Sequence, residues 1–87
     1  MYAIIVYDVA QERVGRVCQF LRRYLNWIQN SVFEGELSNG QLREVKMGLN
    51  GIIKKDEDSI LFFTVESEKW LKKEVMGIEK REVTTII

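Results

Sequence analysis

The sequence feature that most constrains the fold is a short apolar run near the start of the chain, residues 2–7 (YAIIVY), which ends on Asp8. A continuous apolar run of this length, rich in β-branched and aromatic residues, predicts a buried strand. An ionised carboxylate loses its water inside such a strand, so we expect Asp8 to lie where the strand leaves the sheet. The acid at this position is therefore the first candidate functional residue.

The length and composition restrict the class of protein. Eighty-seven residues predict one domain spanning 1–87, and a domain this small is often completed by a partner chain, so we expect an oligomer. Apolar residues at 46% and charged residues at 30% are typical of a soluble globular protein, and no apolar run approaches the roughly 18 residues that would cross a bilayer. Because no signal-type leader precedes the first strand, we expect a cytoplasmic protein without a membrane partner.

The residue types that are missing exclude several kinds of chemistry. The sequence has no histidine and one cysteine, Cys18, which excludes the usual zinc sites, an internal disulfide and nucleophiles activated by histidine. Any hydrolysis must use carboxylates, metal-bound water or lysine. Thirteen basic and thirteen acidic side chains balance, so nucleic acid could be bound only through a local basic patch and not by bulk charge.

A first amphipathic helix is predicted from Val14 to Leu25, because apolar residues recur there at three- and four-residue steps. These residues are Val14, Val17, Cys18, Leu21 and Leu25. At 3.6 residues per turn, Arg13, Arg16 and Arg23 share one flank beside this stripe. They form either a solvated helix face or part of a binding surface.

A second helix is predicted to begin at Ser38, which forms a capping box with Gln41. Its apolar stripe consists of Leu42, Val45, Leu49, Ile52 and Ile53. Gly48 and Gly51 lower its helix propensity by about 1 kcal/mol each relative to alanine. They mark either close packing against the sheet or an early end of the helix.

The remaining segments predict strands. Residues 26–37 form either one bent strand or two short ones, because the apolar alternation fails around Gln29 and Ser31, which lie either at a sheet edge or in a binding surface. A charged loop at 54–58 precedes a second apolar strand at Ser59–Val65. A single turn at residues 70–71 and two closing strands, at 74–78 and 82–87, complete the chain.

This order of elements predicts an α+β sandwich with a ferredoxin-like fold, in which two helices cover one face of a mainly antiparallel sheet. The other face of the sheet needs a cover. The β-rich tail at 84–87 leaves no room for another helix, so we expect the terminal strand to pair across a homodimer.

Three parts of the sequence occur together in one known family: Tyr7-Asp8 closing the first strand, the arginine-bearing helix that follows, and Gln29-x-Ser31-Val32-Phe33-Glu34. With these parts and the last strand, the whole chain resembles the small CRISPR-associated endoribonuclease family, the smaller of the two core spacer-acquisition proteins. The resemblance implies a ferredoxin-like homodimer in which the two first-strand acids face each other and hold a divalent metal, Mg²⁺.

The same resemblance assigns roles to particular residues. Asp8 matches the metal-binding and catalytic acid. The positions that line the nucleic-acid cleft or support the metal site are Tyr7, Arg13, Arg16, Ser31 and Phe33. Many members have an arginine where this chain has Trp27, so one phosphate contact is missing, and Trp27 either stacks on a base or packs beside the strand. For Asp8, the alternative to metal binding is capping of the first helix.

Three functional hypotheses follow from these observations. The first is a Mg²⁺-dependent phosphodiesterase acting on RNA or DNA, in which two Asp8 carboxylates bind the metal. The second is a non-catalytic DNA-binding scaffold for the CRISPR-associated integrase in spacer acquisition. The third is a related ribonuclease of the toxin type, which shares the fold and the first-strand acid.

Overall fold

The computed structural model describes residues 1–81 of the chain. Its elements follow one another as β1 (Tyr2–Asp8), α1 (Gln11–Leu21), β2 (Asn26–Gln29), β3 (Val32–Glu36), α2 (Asn39–Asn50) and β4 (Ser59–Val65). A 3₁₀ turn at Glu68–Trp70 confirms the single turn predicted near this point. Neither helix has the length and apolar composition that crossing a membrane requires, in the part of the chain described.

The four strands form one antiparallel sheet in the order β2-β3-β1-β4. Strand β1 is central, and its Ile4 pairs with Glu34 of β3 on one side and with Phe63 of β4 on the other. Because side chains alternate along a strand, this register puts Ala3, Ile5 and Tyr7 on one face of β1 and Ile4, Val6 and Asp8 on the other.

The two helices cover one face of the sheet, which confirms the predicted α+β, ferredoxin-like arrangement. The core lies between these layers, and its buried members are Ala3, Ile5, Tyr7, Val17, Leu21, Leu25, Phe33, Leu37, Val45 and Leu49. Leu25 belongs to this core although α1 ends at Leu21, four residues before the predicted end. Val14 was predicted to be buried, but it is 36% exposed, and the buried residue of the first turn of α1 is Arg13 instead.

Helix α2 begins as its sequence predicts. The Ser38 hydroxyl accepts a hydrogen bond from the Gln41 amide at 3.1 Å, and the Gln41 side chain accepts one from the Ser38 amide at 2.9 Å. The two glycines have different uses. Gly48 lies against the Phe20 ring of α1 and so allows close packing between the helices, not against the sheet, whereas Gly51 is the C-cap.

Residues 26–37 form two short strands. Asn30 adopts a positive φ of 42° between β2 and β3, a conformation that asparagine tolerates better than most residues. The Trp27 indole N–H donates a hydrogen bond to the Asn30 carbonyl at 2.9 Å, and the ring packs against the core. Trp27 therefore packs beside the strand and closes the turn.

The prediction of a strand at residues 74–78 is wrong. The chain has no regular structure there, and its side chains are exposed. Gly77 adopts a φ of 95°, which interrupts an extended conformation. The apolar residues of this segment, Val75, Met76 and Ile78, are exposed and have no neighbouring strand within residues 1–81. The strand predicted at 82–87, with its proposed pairing across a dimer, lies outside the described residues.

Candidate metal and nucleic-acid site at the end of β1

Asp8 lies where the sequence predicts, at the exposed end of β1. It pairs with Ser59, the first residue of β4, and by strand alternation its side chain belongs to the face that the helices do not cover. No hydrogen bond or ion pair engages the Asp8 carboxylate within residues 1–81. The carboxylate is therefore available to a ligand.

Capping of α1 by Asp8 is not observed. The N-cap residue is Ala10, and no side chain of the first helix provides the capping hydrogen bond. A distant residue serves this end of the helix instead, because the Ala10 amide donates to the Asp58 carboxylate at 2.9 Å. This leaves metal binding as the functional alternative for Asp8.

Arg13 is buried and ion-paired. Its Nε donates to Asp58 Oδ2 at 2.6 Å, and its Nη2 donates to Asp58 Oδ1 at 3.0 Å and to Glu57 Oε1 at 2.8 Å. These hydrogen bonds hold the pKa of the Asp58 carboxyl well below its usual range, although burial acts in the opposite direction. They also raise the pKa of the Arg13 guanidinium. A nucleic acid cannot reach this side chain without breaking the cluster.

Arg16 and Arg23 remain on the exposed flank of the first helix region, apart from Arg13. They border a shallow surface depression together with Gln19, Phe20 and Ile52. The Arg23 guanidinium lies 5.7 Å from the centre of the Phe20 ring, a cation–π distance. Of the three arginines predicted to share a flank, two are accessible to a phosphate.

Tyr7 and Phe33 lie in the core. Tyr7 is 4% exposed and Phe33 is fully buried, and their rings stack with centroids 6.2 Å apart. Direct contact of these two side chains with a nucleic acid does not fit their burial, which leaves the supporting role among those the resemblance implied. Burial raises the pKa of the Tyr7 hydroxyl. Ser31 is half-buried beside the site, and its carbonyl accepts a hydrogen bond from the Tyr7 amide at 3.1 Å.

The donor set for a metal is small in one chain. Residues 1–81 contain no group of three or more histidine, cysteine, aspartate or glutamate side chains that could hold an ion. Asp8 alone offers an exposed, unengaged carboxylate at the predicted place. Such a donor suits Mg²⁺, which binds through one or two carboxylates and keeps other positions for water and phosphate. The residues present therefore fit a Mg²⁺ site that a second acid or a substrate completes.

The uncovered face of the sheet is apolar next to Asp8. We call it the open face; its apolar residues are Ile4, Val6, Val32, Leu61, Phe63 and Val65. Leu61 and Phe63 are 52% and 55% exposed, although they lie in the middle of β4. At the other end of this face, the buried Glu34 carboxylate accepts a hydrogen bond from Lys73 at 2.7 Å. Burial, together with a hydrogen bond to Glu34, raises the pKa of Tyr2.

Sequence reasoning did not identify Asp58 as part of this region. Asp58 lies in the charged run KKDED, whose composition is that of an ordinary solvated loop. The only signal was its position directly before Ser59, where β4 begins. The burial of one particular acid in such a run depends on the partner that the fold brings to it.

The chain is similar to known proteins over most of its length. The profile of a family described as CRISPR associated protein Cas2 matches residues 1–73. A CRISPR-associated endoribonuclease Cas2 of Thermococcus kodakarensis is 48% identical over 100% of both chains. A second such protein, CRISPR-associated endoribonuclease Cas2 2 of Archaeoglobus fulgidus, is 60% identical over 92% of this chain and 87% of its own length.

Solved structures give the same result for the fold. A crystal structure of Cas2 with 49% sequence identity superposes with a TM-score of 0.85 and covers 100% of this chain and 98% of its own. The crystal structure of Streptococcus pyogenes Cas2 at pH 6.5 has 29% identity and a TM-score of 0.78, with 88% of this chain and 100% of that chain covered.

Proposed function

The chain belongs to the CRISPR-associated protein Cas2 family, and we propose that it is a cytoplasmic Mg²⁺-dependent endonuclease acting on RNA or DNA in CRISPR spacer acquisition. The observation that carries this proposal is the state of Asp8, which is exposed, unengaged within the described chain and not used as a helix cap. The two relatives are both named as endoribonucleases, and this supports a nuclease activity for the chain.

The metal would be held by Asp8 together with the same residue of a second copy. Two carboxylates match the number of protein ligands that Mg²⁺ commonly takes, and the substrate phosphate would be a further ligand. When bound, the ion would supply Lewis acidity and offset the negative charge of the phosphate. The chain has no histidine, so Asp8 is also the group best placed to orient water at the phosphate.

The open face supports a homodimer as the working unit. Its apolar centre includes the half-exposed Leu61 and Phe63, an exposed apolar patch of the kind that marks a protein interface, and Asp8 lies at one end of it. Two copies stacked through this face with their β1 ends aligned would bring the two Asp8 side chains towards each other. Phe63→Glu should give a monomer in size-exclusion chromatography with light scattering. Met47→Glu, at a 75% exposed position on α2, should leave the dimer intact; a dimeric Phe63→Glu protein would contradict this arrangement.

The nucleic acid would be bound by the exposed basic group on α1, Arg16. Arg16 is exposed on this helix and has no ion-pair partner in residues 1–81, so its guanidinium is free to contact a phosphate. Ser31 lies beside Tyr7 and would orient the phosphate near Asp8. Tyr7 and Phe33 would support the site from the core, since their stacked rings fix the ends of β1 and β3.

The test is a nuclease assay on single- and double-stranded RNA and DNA, with and without Mg²⁺. Cutting by the wild type should require Mg²⁺, and Asp8→Asn should reduce it by at least about 100-fold while the protein stays dimeric. Glu66→Gln is a control, because Glu66 is an exposed acid that follows Val65, and Val65 pairs with Tyr2 at the opposite end of β1 from Asp8. Undiminished cutting by Asp8→Asn would refute the proposal.

The second candidate function is a non-catalytic DNA scaffold for the CRISPR-associated integrase. The exposed Arg16 of α1 and the exposed Arg23 that follows the helix favour it, because they do not need Asp8 to bind DNA. A scaffold predicts that Asp8→Asn retains spacer integration while Arg16→Glu loses DNA binding and integration. The reverse result would exclude the scaffold and favour the nuclease.

A further inference from the structure

Asp58 has an unusually complete set of partners for a residue in a charged loop. Its side chain is 0% exposed, and its two oxygens accept four hydrogen bonds. Two of these come from the Arg13 guanidinium and two from backbone amides, those of Ala10 at 2.9 Å and Lys54 at 2.9 Å. A buried carboxylate is stable only when it is paired and hydrogen-bonded in this way.

These contacts join two connections of the fold. Ala10 belongs to the segment between β1 and α1, two residues after Asp8, and Lys54 belongs to the segment between α2 and β4. Asp58 is followed in the sequence by Ser59, and Ser59 pairs with Asp8 in the sheet. Asp8 is thus held from both sides, through strand pairing with Ser59 and through the hydrogen bond that fixes Ala10.

Arg13 keeps the Asp58 carboxylate in place. The planar guanidinium matches both carboxylate oxygens, a geometry that a lysine cannot reproduce. Arg13 also belongs to the first turn of α1, and its amide donates to the Ala10 carbonyl at 2.8 Å. The start of the helix, the end of β1 and the start of β4 are therefore tied to one buried ion pair.

We propose that Asp58 is a positioning residue that fixes the segment carrying Asp8, and that Arg13 is the counter-charge that holds Asp58. What Asp8 then binds rests on the proposed function. The geometry implies that loss of Asp58 loosens residues 8–10 more than the rest of the sheet. A looser Asp8 should bind a divalent cation about 10- to 100-fold more weakly, the range found when groups that orient metal ligands are removed.

The experiment compares Asp58→Asn with Glu57→Gln. Asparagine keeps the size of the side chain but removes the charge that Arg13 requires. Glu57→Gln is a matched control, because the Glu57 carboxylate accepts from the same arginine but from neither the Ala10 nor the Lys54 amide, and its side chain is 49% exposed. Arg13→Lys is a third, milder variant, which keeps the charge and loses the planar fork.

Two readouts are measured on the intact protein at a temperature where all variants are folded. The first is amide hydrogen exchange without metal, resolved at residues 8–10 and in the centre of β1. The second is the Kd for Mn²⁺ as a probe of the metal site, measured by electron paramagnetic resonance with Asp8→Asn as the reference. If Asp58→Asn does not fold, Arg13→Lys replaces it in both readouts.

In Asp58→Asn we expect faster amide exchange at residues 8–10, unchanged exchange at Ile5, and a Kd for Mn²⁺ that is about 10- to 100-fold higher. Glu57→Gln should stay close to wild type in both readouts. Uniform loss of protection across the sheet would overturn it, because Asp58 would then be structural only. Selective loosening with an unchanged Asp8-dependent Kd would overturn it as well. If wild type and Asp8→Asn bind Mn²⁺ equally, the proposed metal site fails, and the exchange readout alone decides whether Asp58 fixes the segment.

Discussion

Gly48 packs against the Phe20 ring of the other helix, and its replacement by alanine provides a quantitative test of that packing. A Cβ atom at position 48 would lie 2.1 Å from the Cζ atom of the Phe20 ring and 2.5 Å from Cε1. Non-bonded carbon atoms do not approach this closely, so the ring must move away from α2. Phe20 also packs against Tyr24, at a centroid distance of 5.4 Å, which limits where the ring can go.

Two opposing effects set the expected change in the free energy of unfolding. Alanine is favoured over glycine inside a helix by about 1 kcal/mol. Overpacking a well-filled contact costs about 1–3 kcal/mol. Gly48→Ala should therefore lower the free energy of unfolding by about 0–2 kcal/mol. Gly15→Ala is the matched control in α1: nothing lies within 4 Å of its Cβ position, so only the gain of about 1 kcal/mol applies.

The assay is urea unfolding followed by circular dichroism, at one protein concentration, because association would shift the apparent stability. Gly15→Ala should raise the urea midpoint, Gly48→Ala should not, and their free energies of unfolding should differ by at least about 1 kcal/mol. In a Phe20→Ala background the steric conflict disappears, and Gly48→Ala should then stabilise the protein by about 1 kcal/mol. An equal gain from both substitutions in the wild-type background would refute the packing described for Gly48.

Three further predictions concern other parts of the fold. Lys73→Met leaves the buried Glu34 carboxylate without its cation and should lower the free energy of unfolding by about 1–3 kcal/mol in urea titrations. Lys72→Met, at an exposed neighbouring position, should change the free energy of unfolding by less than about 0.5 kcal/mol. The pKa of Asp58 is lowered in the folded state, so its ionised form stabilises the fold. This contribution to the free energy of unfolding is present above the unfolded pKa, near 4, and is lost as the pH falls below that value. Urea midpoints measured between pH 6 and 3 should therefore fall more steeply for wild type than for Asp58→Asn. Trp27→Phe removes one indole hydrogen bond, so it should cost about 1 kcal/mol of stability and leave the affinity for a labelled oligonucleotide within about twofold; a large loss of affinity would restore the stacking alternative.

Local signals in the sequence predicted the elements that depend on local physics. The capping box at Ser38 and the apolar run before Asp8 each specify a strand or helix boundary within a few residues, and both boundaries are observed. The family resemblance and the order of elements predicted the sheet with two helices on one face. Asp8 lies at the strand end for the reason the sequence suggested, because a carboxylate is excluded from the strand interior.

Features that depend on distant partners were not predictable from local pattern. Arg13 was assigned to an accessible flank because helix periodicity places it beside the apolar stripe, but an acid 45 residues away draws it into the interior. Residues 74–78 contain three apolar residues, but a strand also requires a neighbouring strand with the right register. Tyr7 and Phe33 show the same limit, since position in a motif does not say which face of the sheet a side chain occupies.

The position of β1 in the sheet also affects how the protein is made. Strand β1 leaves the ribosome before both of the strands that it pairs with, β3 at residues 32–36 and β4 at residues 59–65, because it lies in the middle of the sheet. At about 5–20 residues per second, roughly 3–11 s separate the synthesis of β1 from that of its second neighbour. Throughout that interval one edge of this apolar strand has no partner, so the nascent chain depends on the β2–β3 hairpin, or on a chaperone, to keep that strand from aggregating.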